Sequence, residues 1–258
     1  MDFNQDNPEL EELLEKADEA FDEEKFEDAV KMYGKVLQIE PDHVGALMNR
    51  GAAWHSLGRF EKALEDDFKA LEQDSEDEKL HFNIGLVLNA LDRNEEALDY
   101  YDQAIRLRFD YSLAYYARAN TLAFLDRHDD AIEDYRKAVQ FNVEYEDVYR
   151  FWGLSLEKRG RYREAVDHYR RSLEEAEDDS VLCRLGYCFR MIGEDRDAEI
   201  CLKKAIALDV GENDAIITLA ALYHEKGRLE ERDQLLRTLS GMIGEDLSGE
   251  DQSGEDGP

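Results

Sequence analysis

The chain has 258 residues, 43% hydrophobic and 37% charged, which is enough apolar matter for a folded protein but unusually polar for a single compact globule. Its formal net charge of −31 sets it against nucleic-acid backbones and anionic membrane surfaces, both of which would repel it over a Debye length. No run approaches the ~18 apolar residues of a membrane span and the N-terminus lacks a basic and an apolar leader region. A cytoplasmic protein is therefore expected, with no nucleic acid and no membrane among its partners. The acidity, with lysine scarcer than arginine, fits either a salt-adapted host or an elongated, solvated helix array.

Residues 1–9 read as a polar arm, with Pro8 just ahead of an apolar rhythm that starts a helix near Glu9. The first two-helix unit, 10–43, sets Leu13, Ala17 and Ala20 against Phe26, Ala29, Tyr33 and Val36, and Pro41 stops its second helix. The second, 44–77, carries Leu47, Gly51, Trp54, Gly58, Phe60, Ala63 and Ala70 in the same slots. There Asp67 stands where other units place Tyr33, Tyr101, Tyr135 and Tyr169. A buried lone aspartate would cost several kcal/mol, so Phe68 is expected to take over that packing; the alternative is that Asp67 reaches water or a base. Units 78–111 and 112–145 follow, and then 146–178, the clearest copy. In it Tyr149, Trp152, Gly153 and Leu156 recur at helical steps, Gly160 breaks the pattern, and Tyr162, Ala165, Val166, Tyr169 and Leu173 resume it. Unit 179–212 carries Leu182, Gly186, Phe189, Gly193, Ala198 and Leu202. A degenerate seventh, 213–246, keeps Ile216, Leu219, Ala220, Tyr223, Gly227, Leu236 and Leu239 but puts Arg232 in the alanine slot, as a capping repeat would. The acidic tail 247–258 has too little apolar surface to offset its ordering entropy, and is expected to be disordered.

Two columns of small residues run through these units. Ala29, Ala63, Ala97, Ala131 and Ala165 recur at a period of 34, with Ala198 one residue short. Ala17, Gly51, Gly85, Ala119, Gly153, Gly186 and Ala220 hold a second slot, and aromatic rings such as Trp54, Tyr101, Phe189 and Tyr223 are expected to fill the gap beside them. With these columns, and with Trp152-Gly153, Gly160, Tyr162, Ala165 and Tyr169 in one unit, the chain resembles the tetratricopeptide-repeat family over roughly residues 10–246. The resemblance implies an all-α, right-handed solenoid (superhelix) of about seven helix hairpins, whose first helices line a concave groove that binds peptides or partner proteins. It does not imply catalysis.

Helical phase picks out the groove face. Asn49 and Asn83 occupy one slot a repeat apart, where their amides could clamp an extended peptide backbone; Asn120 lies on the same face. Phe82, Tyr116, Phe151 and Tyr187 form an aromatic row. Arg150, Arg184 and Arg190 are basic positions suited to a carboxylate-bearing peptide, or else to internal pairing with acids such as Glu157 and Asp147. Some family members clamp an acidic chaperone C-terminus through a lysine and asparagine set, but here Leu14 and Asp18 stand where its first members should be. Asn49 and Lys79 match later ones, so the clamp is incomplete.

No catalytic, cofactor or metal constellation is expected. The six histidines are scattered, no phosphate loop or nucleophile elbow occurs, and Cys183, Cys188 and Cys201 have the spacing of buried thiols rather than of a metal quartet. The reading is a non-enzymatic adaptor, scaffold or co-chaperone-like module with a protein or peptide partner that bears an acidic segment. Self-association into a structural scaffold is the alternative.

Overall fold

The computed structural model describes residues 8–143, 147–174, 176–209 and 213–237. Residues 1–7 of the expected arm, Leu239 and the acidic tail lie outside them. Among the described residues every regular element is a helix, as the 34-residue apolar rhythm requires. The chain divides after Val143 into two compact units.

The first unit holds α1 (Pro8–Asp22), α2 (Phe26–Ile39), α3 (Val44–Ser56), α4 (Phe60–Gln73), α5 (Glu78–Ala90), α6 (Asn94–Leu107), α7 (Ser112–Phe124) and α8 (His128–Gln140). Pro8 is itself the first helical residue, where its missing N–H costs nothing. Successive helices pair as hairpins, each second helix also packs on the next first helix, and α1, α3, α5 and α7 touch one another in a row. The second unit holds α9 (Val148–Lys158), α10 (Tyr162–Ser172), α11 (Asp179–Met191), α12 (Asp195–Leu208) and α13 (Asn213–Glu225), with 229–237 also helical. The same pairing recurs there, and α11 touches α13.

Each hairpin turns on one left-handed residue: Glu24, Gly58, Asp92, Asp126, Gly160, Gly193 and Gly227 all have φ between 57° and 81°. Two hydrogen bonds close each turn. Gly58 N–H donates to the His55 carbonyl at 2.8 Å and Arg59 N–H to that of Trp54 at 2.8 Å; together they satisfy carbonyls that the helix end leaves open.

The alanine column from Ala29 to Ala198 is fully buried, and the second small column explains why. A Cβ on Gly85 would lie 2.5 Å from the Tyr101 ring, one on Gly153 2.8 Å from Tyr169, and one on Gly186 2.6 Å from Leu202. The gap beside the small residues is thus filled from the second helix, by the tyrosine column and Leu202. Trp54 is not part of it: its ring is only half-buried and carries the Lys62 ammonium 4.3 Å above its face.

Candidate binding face and pocket

The buried tyrosines of the second helices end on polar groups of the first. Tyr33 donates its hydroxyl proton to Asp18 at 2.5 Å, Tyr135 to Asn120 at 2.7 Å and Tyr169 to Glu157 at 2.8 Å; the Tyr101 hydroxyl accepts from Asn89 at 2.9 Å. Burial pushes all four phenols well above the usual tyrosine range, so they stay protonated donors at neutral pH. Each of these four hairpins is in effect plugged by a ring whose polar end is answered near the face of its first helix.

The α3/α4 hairpin lacks its plug. Asp67 is 1% exposed, and neither carboxylate oxygen meets a hydrogen-bond donor. Phe68 does not replace the missing tyrosine. It is 36% exposed and leans on Tyr100 with centroids 6.1 Å apart, because one residue along a helix turns a side chain by about 100°. The expectation that Phe68 takes over the packing is thus overturned, and so is the alternative that Asp67 finds a base. The small residue of the slot remains, since a Cβ on Gly51 would collide with the Asp67 carboxylate. Beside the pair lies a hollow of about 130 Å³ lined by Phe21, Leu86 and Val87 together with Ala52, His55, Ser56 and Asn83. Burial, with the Asp66 charge adding to it, holds the Asp67 carboxyl up to about 8, and burial lowers His55 below the usual histidine range.

The expected groove residues take several roles. Asn49 donates to Asp18 at 3.2 Å, and Asn120 is engaged by Tyr135. Asn83 borders the cavity. Phe82 is half-buried between Tyr101 and Tyr111, with centroids 6.1 and 5.2 Å away, so part of its surface is framework; Tyr116 lies 6.3 Å from Tyr135. In the second unit Arg150 donates to Asp147 at 2.9 Å and lies 4.3 Å over the Phe151 ring. Arg184 donates to Glu157 at 3.2 Å, and Arg190 to Glu225 at 3.3 Å. Internal pairing is therefore the form these arginines take. Arg184, Tyr187 and Glu157 line a hollow of about 370 Å³ with Asp214, Ile217 and Thr218. Cys183 and Cys188 are buried and Cys201 is half-buried; burial pushes the Cys188 thiol up to about 12.

Tetratricopeptide-repeat family models match residues 14–79, 78–111, 113–142 and 153–181. The chain belongs to the tetratricopeptide-repeat family. Solved structures agree in fold. A MamA crystal structure is 28% identical with a TM-score of 0.57, covering 61% of this chain and 92% of its own. YrrB, described as a TPR protein with an unusual peptide-binding site, is 25% identical with a TM-score of 0.63, covering 68% and 91%. A tetratricopeptide repeat protein from Parabacteroides merdae, 18% identical with a TM-score of 0.63, covers 94% of both chains and shows the fold alone. No protein with a curated description matches the sequence. A tetratricopeptide chain is a protein-interaction module, so protein partners follow as a class. Among the described residues no helix is long and apolar enough to cross a membrane.

Proposed function

We propose that this tetratricopeptide chain is a non-enzymatic adaptor or scaffold that holds a peptide segment of a partner protein along its first helices. Asn49, Phe82, Asn83, Tyr116 and Asn120 offer contacts on the first unit, and Arg150, Phe151, Arg184, Tyr187 and Arg190 on the second. The observation that carries the reading is the row of touching first helices α1, α3, α5 and α7, which sets half-buried amides and rings one repeat apart along one course. Side chains that are neither core nor fully solvated are those a peptide can cover at small desolvation cost. The peptide-binding site in the description of YrrB supports the same reading.

The test is selection of peptides from a random displayed library on the full chain, with affinities then measured by fluorescence anisotropy. Combined replacement Asn49→Ala and Asn83→Ala should weaken the selected peptides by about tenfold or more with circular dichroism unchanged. Unaltered affinity would overturn the assignment.

An acidic partner segment has to displace Asp147 from Arg150 and Glu157 from Arg184. On that form of the reading Arg150→Glu with Arg184→Glu abolishes capture of acidic peptides, and retained capture sinks it. Self-association is a second reading favoured by Phe109 and Phe124 of the first unit, which are 73% and 71% exposed. Light scattering over a range of concentrations separates the two, since a strict monomer excludes assembly.

A further inference from the structure

Asp67 combines three observations. The phenol that fills this space in the α1/α2, α5/α6, α7/α8 and α9/α10 hairpins is missing; the small slot at Gly51 that receives it is kept; and a carboxyl group with no partner is buried at the wall of the resulting hollow. Buried polar groups are normally answered by a partner, and a buried carboxyl is costly until one arrives. Among the described residues no such partner meets it. The positions that cap the tyrosine hydroxyls elsewhere, Asp18 or Asn120 and Asn89 or Glu157, correspond here to Ala52 and His55, and both line the cavity. Ala52 has nothing to donate, neither the His55 ring nor the Ser56 hydroxyl of the same lining meets the Asp67 oxygens, and burial biases His55 towards its neutral form, so it supplies no cation. Arg50, next to Gly51 in the chain, is held by two hydrogen bonds to Asp66, of 2.7 and 2.6 Å.

We propose that this hollow receives a lysine side chain of the segment bound along the first helices, its stem against Phe21, Leu86 and Val87 and its ammonium on the Asp67 carboxylate. The inference rests on the peptide-holding reading and gives it a specificity. The chemistry selects the occupant. An apolar wall ending in a carboxylate suits four methylenes capped by a compact cation. A cation entering a desolvated site beside Asp67 favours release of the carboxyl proton to solvent and leaves an ion pair with charge-assisted hydrogen bonds. The approach is favourable as well: α1 and the turn after it present Glu11, Glu15, Asp18, Glu19, Asp22 and Glu23 around an open hollow, and the net charge of −31 draws basic segments in.

The probe is n-butylammonium, the lysine side chain itself, titrated into the isotopically labelled full chain and followed by NMR at the amides of Gly51, Asp67 and Asn83; 1-butanol and p-cresol serve as uncharged comparisons. Saturable shifts at these amides are expected with butylammonium and not with butanol. Asp67→Asn, which keeps the shape and removes the capacity to ionise, should weaken the response about thirtyfold or more, and Asp67→Tyr, which restores the plug, should eliminate it in a folded protein. Butylammonium shifts that keep wild-type affinity in either variant mean diffuse association with acidic surface and overturn the proposal, as does the absence of a saturable response. Preference for p-cresol overturns it in favour of a tyrosine occupant. Selected peptides that bind wild type and Asp67→Tyr equally would leave the peptide-holding reading standing and remove the pocket from it.

Discussion

At the scale of single residues, Asp67 couples the stability of the first unit to pH. Its ordinary value is 3.8, and in the fold it keeps its proton up to about 8. Between those values the native state binds one proton more at this group than the unfolded chain, so the contribution of Asp67 to stability is largest below about pH 4, declines through the window and levels off above it, with a slope of up to about 1.4 kcal/mol per pH unit. Asp66, paired with Arg50, and His55 on α3 are the titratable neighbours. Asp66 deepens the effect by its charge, while burial weakens the tendency of His55 to protonate and offset it. Asp67→Asn should therefore flatten the decline and raise the urea midpoint at neutral pH; an unchanged slope would assign it to other groups. The oddity of this slot was visible in the sequence as one acid in a column of tyrosines. Its consequence was not, because whether Phe68 could swing into the gap depends on its angular position on α4 rather than on its neighbourhood in the chain. The arginines divide the same way. Arg150 with Asp147 is a short-range pair that spacing can reveal, whereas Arg184 meets Glu157 only because α9 and α11 are brought together.

At the scale of the element, the hairpin turns show what sequence can and cannot mark. Gly58, Gly160, Gly193 and Gly227 announce their turns, since glycine carries no Cβ penalty at positive φ. Glu24, Asp92 and Asp126 adopt the same conformation at φ of 57° to 58° but look like solvated helix-end acids, so only the 34-residue phase places them. Lys25, Arg59, Arg93, Arg127, Arg161 and Glu194, each following a left-handed residue, open the next helix with no side-chain cap, and Arg93, Arg127 and Arg161 instead pair with Glu96, Asp130 and Glu164 three residues on. These pairs are exposed and contribute only tenths of a kcal/mol. The backbone conformation is the larger lever. Asp92→Gly or Asp126→Gly removes a left-handed strain of about 1–2 kcal/mol while adding unfolded-state entropy that cancels part of the gain. Each should stabilise the protein by about 0.5–1 kcal/mol, read as a rise in the urea midpoint at constant slope. A loss would mean that local hydrogen bonding by the aspartate outweighs the strain.

At the scale of the whole molecule, the repeat was legible because seven copies of a weak pattern in constant phase reinforce one another, each copy burying its neighbour's face. The division after Val143 was not, since no proline, glycine or charge run marks it and the period continues across it. Charge is the property that belongs to the chain as a whole, and its effect follows from two opposing sets. Internal pairs such as Arg50 with Asp66 and Arg118 with Asp134, the latter through two bonds of 2.7 Å, are largely buried and therefore weakly screened. Against them stand 63 acidic residues and only 32 basic ones, a surplus of exposed like charge that destabilises the compact state through self-repulsion. Raising salt from about 0.01 M to about 1 M shortens the Debye length from about 30 Å to about 3 Å, removing the repulsion while leaving the buried pairs nearly intact. The thermal midpoint should therefore climb with salt, most steeply below about 0.1 M where the Debye length is still about 10 Å. A falling midpoint would show that the exposed ion pairs outweigh the net charge. The same titration should weaken capture of a lysine-bearing segment, so stability and basic-peptide affinity are expected to move in opposite directions as salt rises.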